Sequence, residues 1–243
     1  MHLFVGVPSH SGTIVSEAAC TLCAVQEMLF SRGGKFQLKF LYGSVIHVSR
    51  NALSAAFLES EADALLMLDS DQAIEAAAIA RMLDLDKHVV GCVYPKRLRN
   101  WSNVKPGADA DQMLLQASEF VGELIYDANK QAQVVDGFAL ADYVGTGVLL
   151  VRREAFQQMM HHFPELEGRG FGPDRYPELA DTPRWGFFNP LDSDVGPLSE
   201  DISFCRRWRQ TGGEIWADVT TDVKHIGREI YEGNYLDHSR AIA

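Results

Sequence analysis

The sequence predicts an α/β fold: a mixed, mainly parallel sheet flanked by helices, in a single domain. Three observations lead there. Strand-like and helix-like segments alternate through the first 95 residues. The apolar runs LFVGV (3–7), ALLML (64–68) and HVVGCV (88–93) are continuous, as expected of strands buried on both faces. Polar residues and prolines stand at the carboxyl ends of these runs, at Pro8, Asp69 to Asp71 and Tyr94-Pro95, where open α/β sheets place their ligands.

Residues 3–7 read as the first strand, 14–30 (IVSEAACTLCAVQEMLF) as a helix and 36–42 as a second strand. Ser49 is the expected cap of a helix running through RNALSAAFLES. The buried strand 64–68 follows, then a helix over 73–84 and a strand over 88–93. KRLRNWSNVKPGADAD, beginning at Lys96, is polar and basic and reads as a loop. Two further strands are expected within 133–151 around Gly145-Thr146-Gly147, then a helix from Arg153 to His162. Residues 163–198 hold six of the nine prolines and show no period. The aromatics Phe171, Tyr176, Trp185, Phe187 and Phe188 favour a flexible functional flap there over a disordered linker. Ser199 caps a helix to about Gln210, which Gly212-Gly213 stops.

With 243 residues, 47% of them hydrophobic, the chain can bury a large core. Its apolar stretches fall short of the roughly 18 residues that cross a bilayer. MHLFVGVPSH reads as a first strand and not as a signal peptide, so a cytoplasmic protein is expected. Four cysteines are too few and too scattered for a disulfide framework. Cys20 and Cys23 lie inside a helix, where positions i and i+3 are expected to share a buried face. The net charge is −11, so an anionic ligand would need a local basic patch or a cation to overcome the protein's own field.

That requirement bears on LLMLDSDQ (65–72), where Asp69 and Asp71 end a buried strand. Two carboxylates about 4 Å apart repel by about 4 kcal/mol at a typical protein surface. Mg²⁺ or Mn²⁺ relieves this by bridging one or two carboxylates to substrate phosphates; alternatively, Asp69 caps the next helix and Asp71 is solvated. Downstream, Glu200 and Asp201 occupy the first turn of a helix, either complementing its dipole or serving as a general base toward a hydroxyl. His225, in KHIG, follows a strand-like segment and is either a packing residue or part of the same site.

Taken in order, the opening strand ending at Pro8, SRNAL (49–53), LLMLDSD (65–71), YVGTGVLLVRREAF (143–156), SEDISFCRRW (199–208) and HIG (225–227) resemble a GT-A-fold, nucleotide-sugar-dependent glycosyltransferase of the family-2-like bacterial and phage group. The resemblance spans nearly the whole chain. It implies a Rossmann-like GT-A domain whose first half, 1–95, binds the nucleotide sugar and whose second half, 96–243, carries the acceptor and catalytic residues. It implies a hexosyltransferase-like enzyme moving sugar from a nucleoside diphosphate, UDP as first guess, to a hydroxyl acceptor. It further implies that Asp69, Asp71 and His225 hold a divalent metal on the donor diphosphate, with Asp71 and His225 the direct ligands and Asp69 partly facing the ribose.

An imidazole beside carboxylates suits Mn²⁺ better than Mg²⁺. Pro8 and Ser9 would then line the nucleotide pocket, with Lys96 near the diphosphate. Arg50 would reach the base or diphosphate, or else be a solvated residue at a helix start. Asp201 is the candidate base if the reaction inverts configuration, with Glu200 the alternative; a retaining reaction needs no dedicated base. The Gly145-Gly147 turn lets backbone approach a ligand or is a plain tight turn. Lys96, Arg97, Arg99, Lys105 and Trp101 form a basic, aromatic stretch that is either ordinary surface or a contact for the donor, a phosphorylated lipid or a small acceptor. A nucleic-acid acceptor, such as a hydroxymethylated phage DNA base, is less favoured. The rival readings are a sugar nucleotidylyltransferase, for which VPSHSGTIVS lacks the Gly-rich basic signature; an aspartate-based phosphatase; and a non-catalytic nucleotide-sugar-binding module.

Overall fold

The apolar run Ala64–Leu68 is a fully buried strand at the middle of the molecule. Its side chains alternate between two cores, Leu65 and Met67 entering one and Leu66 and Leu68 the other. That division explains why the run is continuous: helices cover both faces of the sheet. The computed structural model describes residues 1–227 and 229–242.

In chain order the elements are β1 (His2–Ser9), α1 (Ser16–Ser31), β2 (Lys35–Tyr42), α2 (Ile46–Glu59), β3 (Ala64–Leu68), β4 (Gln72–Ala73), α3 (Ala76–Asp84), β5 (Val89–Cys92), β6 (Tyr94–Arg99), α4 (Ala110–Ala117) and β7 (Ser118–Leu124). There follow β8 (Val134–Val135), β9 (Phe138–Val144), β10 (Val148–Arg152), α5 (Arg153–His162), β11 (Asp192–Ser193), β12 (Gly196–Pro197), α6 (Glu200–Gln210), β13 (Ile215–Asp218), β14 (Val223–Ile226), β15 (Ile230–Gly233) and α7 (Tyr235–Ile242). The main sheet has the order β2-β1-β3-β10-β5-β13-β9-β7-β6, with β8 added beside β9. β2, β1, β3, β5 and β13 run in one direction, and β10 lies antiparallel between β3 and β5. This is the expected mixed, mainly parallel Rossmann-like sheet in one domain. A small sheet, β15-β14-β4, sits at the carboxyl end of β3. Helices α2, α5 and α6 supply Phe57, Phe156, Phe204 and Trp208 to one core; α1 and α3 supply Leu22, Val25, Ile79 and Met82 to the other. Burying each such side chain contributes roughly 1.5 to 3 kcal/mol. Among the described residues no helix is long and apolar enough to cross a membrane.

Several expectations need correction. Helix α2 begins at Ile46, so Ser49 is not its cap; its hydroxyl is buried 2.9 Å from the Tyr176 hydroxyl. The expected helix over 73–84 starts only at Ala76, because the backbone of Gln72 and Ala73 pairs with Lys224 and His225. The basic stretch from Lys96 is not a loop throughout: it continues strand β6, and a capping box between Asp109 and Gln112 opens α4. Cys20 and Cys23 are exposed, since the buried stripe of α1 runs through Ala18, Thr21, Leu22 and Val25.

Residues 163–198 are anchored in the core by their aromatic side chains instead of lying over it as a flap. Phe187 and Phe188 are fully buried, and Phe171 and Tyr176 nearly so. The segment has little regular structure, so side chains satisfy its backbone. Asn51 donates to the Gly170 carbonyl (3.1 Å) and accepts from the Phe188 amide (2.8 Å), while Arg207 donates to the carbonyls of Phe187 (3.0 Å) and Asn189 (2.6 Å).

Candidate functional site

Strand β3 delivers Asp69 to the carboxyl edge of the sheet, where the Asp69 amide donates to the Gly147 carbonyl (2.9 Å) and the Gln72 amide donates back to the Asp69 carbonyl (3.0 Å). The resulting turn separates the two carboxylates. Asp69 faces inward to Arg50, and Asp71 faces β6 and β14.

Arg50 is 2% exposed, although it lies near the start of a helix. Its Nη2 donates to Asp69 Oδ2 (3.1 Å), its Nη1 to the Thr146 carbonyl (3.2 Å), and its Nε to Glu200 Oε1 (3.4 Å). Burial alone would favour loss of its proton, but Asp69 and then Glu200 outweigh it and raise the guanidinium pKa. Arg50 is therefore neither solvated nor free to reach a ligand; it ties the end of β3 to the first turn of α6. The neighbouring Asp201 accepts from the Ile202 amide (2.8 Å) and from the Ser199 hydroxyl, so the adjacent carboxylates part company. Glu200 is committed to the buried guanidinium, and Asp201 is held at the helix N-terminus.

The second cluster forms around Asp71. Its Oδ2 lies 2.8 Å from Arg97 Nη1 and 3.7 Å from His225 Nε2. The Ile226 amide donates to the Asp71 carbonyl (2.8 Å), which fixes β14 against the turn. His225 Nδ1 lies 2.9 Å from the Pro95 carbonyl. A carbonyl only accepts, so Nδ1 carries the hydrogen and Nε2 is the atom presented to Asp71. Burial would push the Asp71 carboxyl up; the neighbouring His225 and the charge of Arg97 hold it below its ordinary value instead. Tyr94 closes the floor. Its ring meets His225 edge-on at 5.8 Å and its hydroxyl accepts the Gly147 amide (3.0 Å). Chiefly through burial, that hydroxyl stays protonated far above its usual range.

The glycines of the 145–147 turn are needed for this floor. A Cβ on Gly145 would stand 2.3 Å from the Tyr94 hydroxyl oxygen, and one on Gly147 2.7 Å from it. Gln72, also at the turn, is completely buried, and neither end of its side-chain amide meets a protein partner.

Pro8 and Ser9 end β1, beside β3, and the Ser9 hydroxyl is held by the Thr13 carbonyl (2.8 Å). Lys96 turns away: its Nζ lies 3.4 Å from Glu119, and it does not join the cluster. Successive strand residues point to opposite faces, so reading β6 as a strand would have singled out Arg97 in its place. The three expected metal ligands are not gathered into one set. Among the described residues no group of three or more histidine, cysteine, aspartate or glutamate side chains is arranged for a metal ion. What the structure brings together is the pair Asp71 and His225, an oxygen and nitrogen donor set of the kind Mn²⁺ accepts. A cavity of about 690 Å³ lies between α1 and α3 beside Lys224 and holds none of these residues.

No family model matches the sequence, and no curated protein matches it. Among solved structures the chain is similar to A197 from STIV (TM-score 0.48, 13% identity, covering 93% of this chain and 86% of that one). It is similar to a UDP-glucose pyrophosphorylase complexed with UDP-glucose (TM-score 0.47, 8% identity, 100% and 97% covered). It is also similar to a glycosyltransferase involved in the glycosylation of the major capsid of PBCV-1 (TM-score 0.32, 15% identity, 74% and 90% covered).

Proposed function

We propose that the protein is a divalent-metal-dependent glycosyltransferase that moves a sugar from a nucleoside diphosphate to a hydroxyl acceptor such as a glycan, a lipid carrier or a small molecule. The observation that carries this reading is the pairing of Asp71 with a His225 whose Nδ1 is fixed by a backbone carbonyl, at the same strand end that Arg50 joins to Glu200. A carbonyl-anchored imidazole facing a carboxylate is the arrangement in which second-shell contacts orient metal ligands.

Asp71 and His225 would hold the metal, Mn²⁺ in preference to Mg²⁺. When bound, it supplies positive charge to the oxygens of the departing diphosphate. Asp69, held by Arg50, contributes as a fixed negative group toward the ribose and not as a metal ligand. Pro8 and Ser9, at the end of β1, form the nucleotide side of the site. Asp201 takes the proton of the acceptor hydroxyl in an inverting transfer, and Glu200, paired with Arg50, holds the first turn of α6 in place.

The test is a thermal-shift screen of UDP-, GDP-, TDP- and CMP-sugars with Mn²⁺ and with EDTA, followed by donor turnover with the nucleotide that binds. A ligand at 100 times its dissociation constant adds about 2.7 kcal/mol of stability. The expected result is a shift with one nucleotide, lost in EDTA, accompanied by slow hydrolysis of the donor. Metal-independent binding without turnover would replace the enzyme by a nucleotide-sugar-binding module.

A further inference from the structure

One carboxylate oxygen of the candidate metal pair already has a cationic partner. Asp71 Oδ2 faces His225 Nε2 at 3.7 Å, and the same oxygen receives Arg97 Nη1 at 2.8 Å. A divalent ion seated between Asp71 Oδ2 and His225 Nε2 would compete with the guanidinium for that oxygen. Arg97 is able to yield it: its side chain is 50% exposed, and Asp71 is the acidic partner it meets. It is also confined. Its aliphatic stem crosses Gly227, where a Cβ would stand 3.0 Å from Arg97 Cδ. With its stem there, the guanidinium can remain beside the site after it leaves the carboxylate. A planar cation with several donors, kept beside a metal, matches the oxygens of a diphosphate.

We propose that Arg97 is an exchange residue. It neutralises Asp71 before the metal arrives, gives up Oδ2 to the metal, and turns its guanidinium to the diphosphate of the donor. This rests on the metal-dependent reading above. It has a consequence that a plain phosphate-binding arginine lacks: removing Arg97 affects the two ligands in opposite directions. The metal gains, because its competitor is gone, and the diphosphate loses.

The experiment measures Mn²⁺ binding to the intact chain by the loss of the free-ion electron paramagnetic resonance signal. It compares wild type with Arg97→Ala, Arg97→Gln, Asp71→Asn and the charge control Lys224→Ala, whose side chain pairs with Glu232 on the other face of β14. A second titration follows binding of UDP, GDP, TDP and CDP at saturating Mn²⁺. Both Arg97 variants are expected to bind Mn²⁺ about 3- to 10-fold more tightly and the preferred diphosphate about 5- to 10-fold more weakly, while Lys224→Ala leaves both within about twofold. Mn²⁺ binding that depends on Asp71 but is unchanged or weakened in the Arg97 variants overturns the exchange and leaves the metal site standing. Tighter Mn²⁺ with undiminished diphosphate binding overturns the second half of the exchange. Wild-type protein with no Asp71-dependent Mn²⁺ binding overturns the exchange and the metal reading together.

Discussion

Arg50 Nη2 lies 3.0 Å from Asp69 Oδ1, and its guanidinium is almost completely enclosed by the carboxyl end of β3, the 145–147 turn and the first turn of α6. Removing one partner of a buried pair leaves charge without compensation, which costs about 3 to 5 kcal/mol. Asp69 and Glu200 keep 23% and 18% side-chain exposure, which softens the loss. Arg50→Ala should therefore lower the unfolding free energy by about 3 kcal/mol, read from the urea midpoint at unchanged slope. A change below about 1 kcal/mol would mean that water satisfies both carboxylates without help.

Asp71, just beyond β3, and Asp201, in the first turn of α6, are assigned different tasks. Asp71→Ala should abolish the EDTA-sensitive thermal shift given by the donor. Asp201→Asn should keep that shift and lose transfer by at least about a hundredfold, the lower range for a general base. Full transfer by either variant removes that residue from the mechanism.

The floor of the site depends on the absence of two side-chain carbons. Gly145→Ala should destabilise the protein by about 1 to 3 kcal/mol through overpacking against Tyr94. Tyr94→Phe removes the oxygen that the new methyl would strike, so the double variant should recover part of the loss. A double-mutant cycle in denaturant checks this: strict additivity would show that the clash lies elsewhere.

The four thiols should divide into two classes. Cys20 and Cys23 are exposed, whereas Cys92 and Cys205 are buried. Burial pushes the Cys205 thiol up to about 12 and raises Cys92 in the same sense. A thiol reagent at pH 8 should modify two cysteines in the native protein and four after denaturation. The linkage has a definite sign. Both thiols stay neutral when folded, so their contribution is fully present below the ordinary thiol pKa and is lost as pH rises toward about 12. Rapid modification of all four in the native state would contradict the packing of Cys205 beneath β9.

The sequence by itself determined the sheet-and-helix alternation, the two-sided burial of β3, the helix ending at Gly212 and the placing of Asp69 and Asp71 at a strand end. These follow from periodicity and turn chemistry, which act over a few residues. Only the tertiary structure decided what the charges do. Arg50 reads as a solvated helix residue until α2 starts a turn early and the Thr146 carbonyl closes over it. Ser49 reads as a cap until Tyr176, far along the chain, takes its hydroxyl. Residues 163–198 read as a flap because their backbone is irregular, yet Asn51 and Arg207 supply the hydrogen bonds that regular structure would have made. Lys96 was the expected site residue, but strand β6 sends Arg97 to Asp71 and Lys96 to Glu119. The separation of Asp69 from Asp71 was equally hidden. Spacing puts the two carboxylates side by side, and partners contributed from distant segments turned one inward and the other outward.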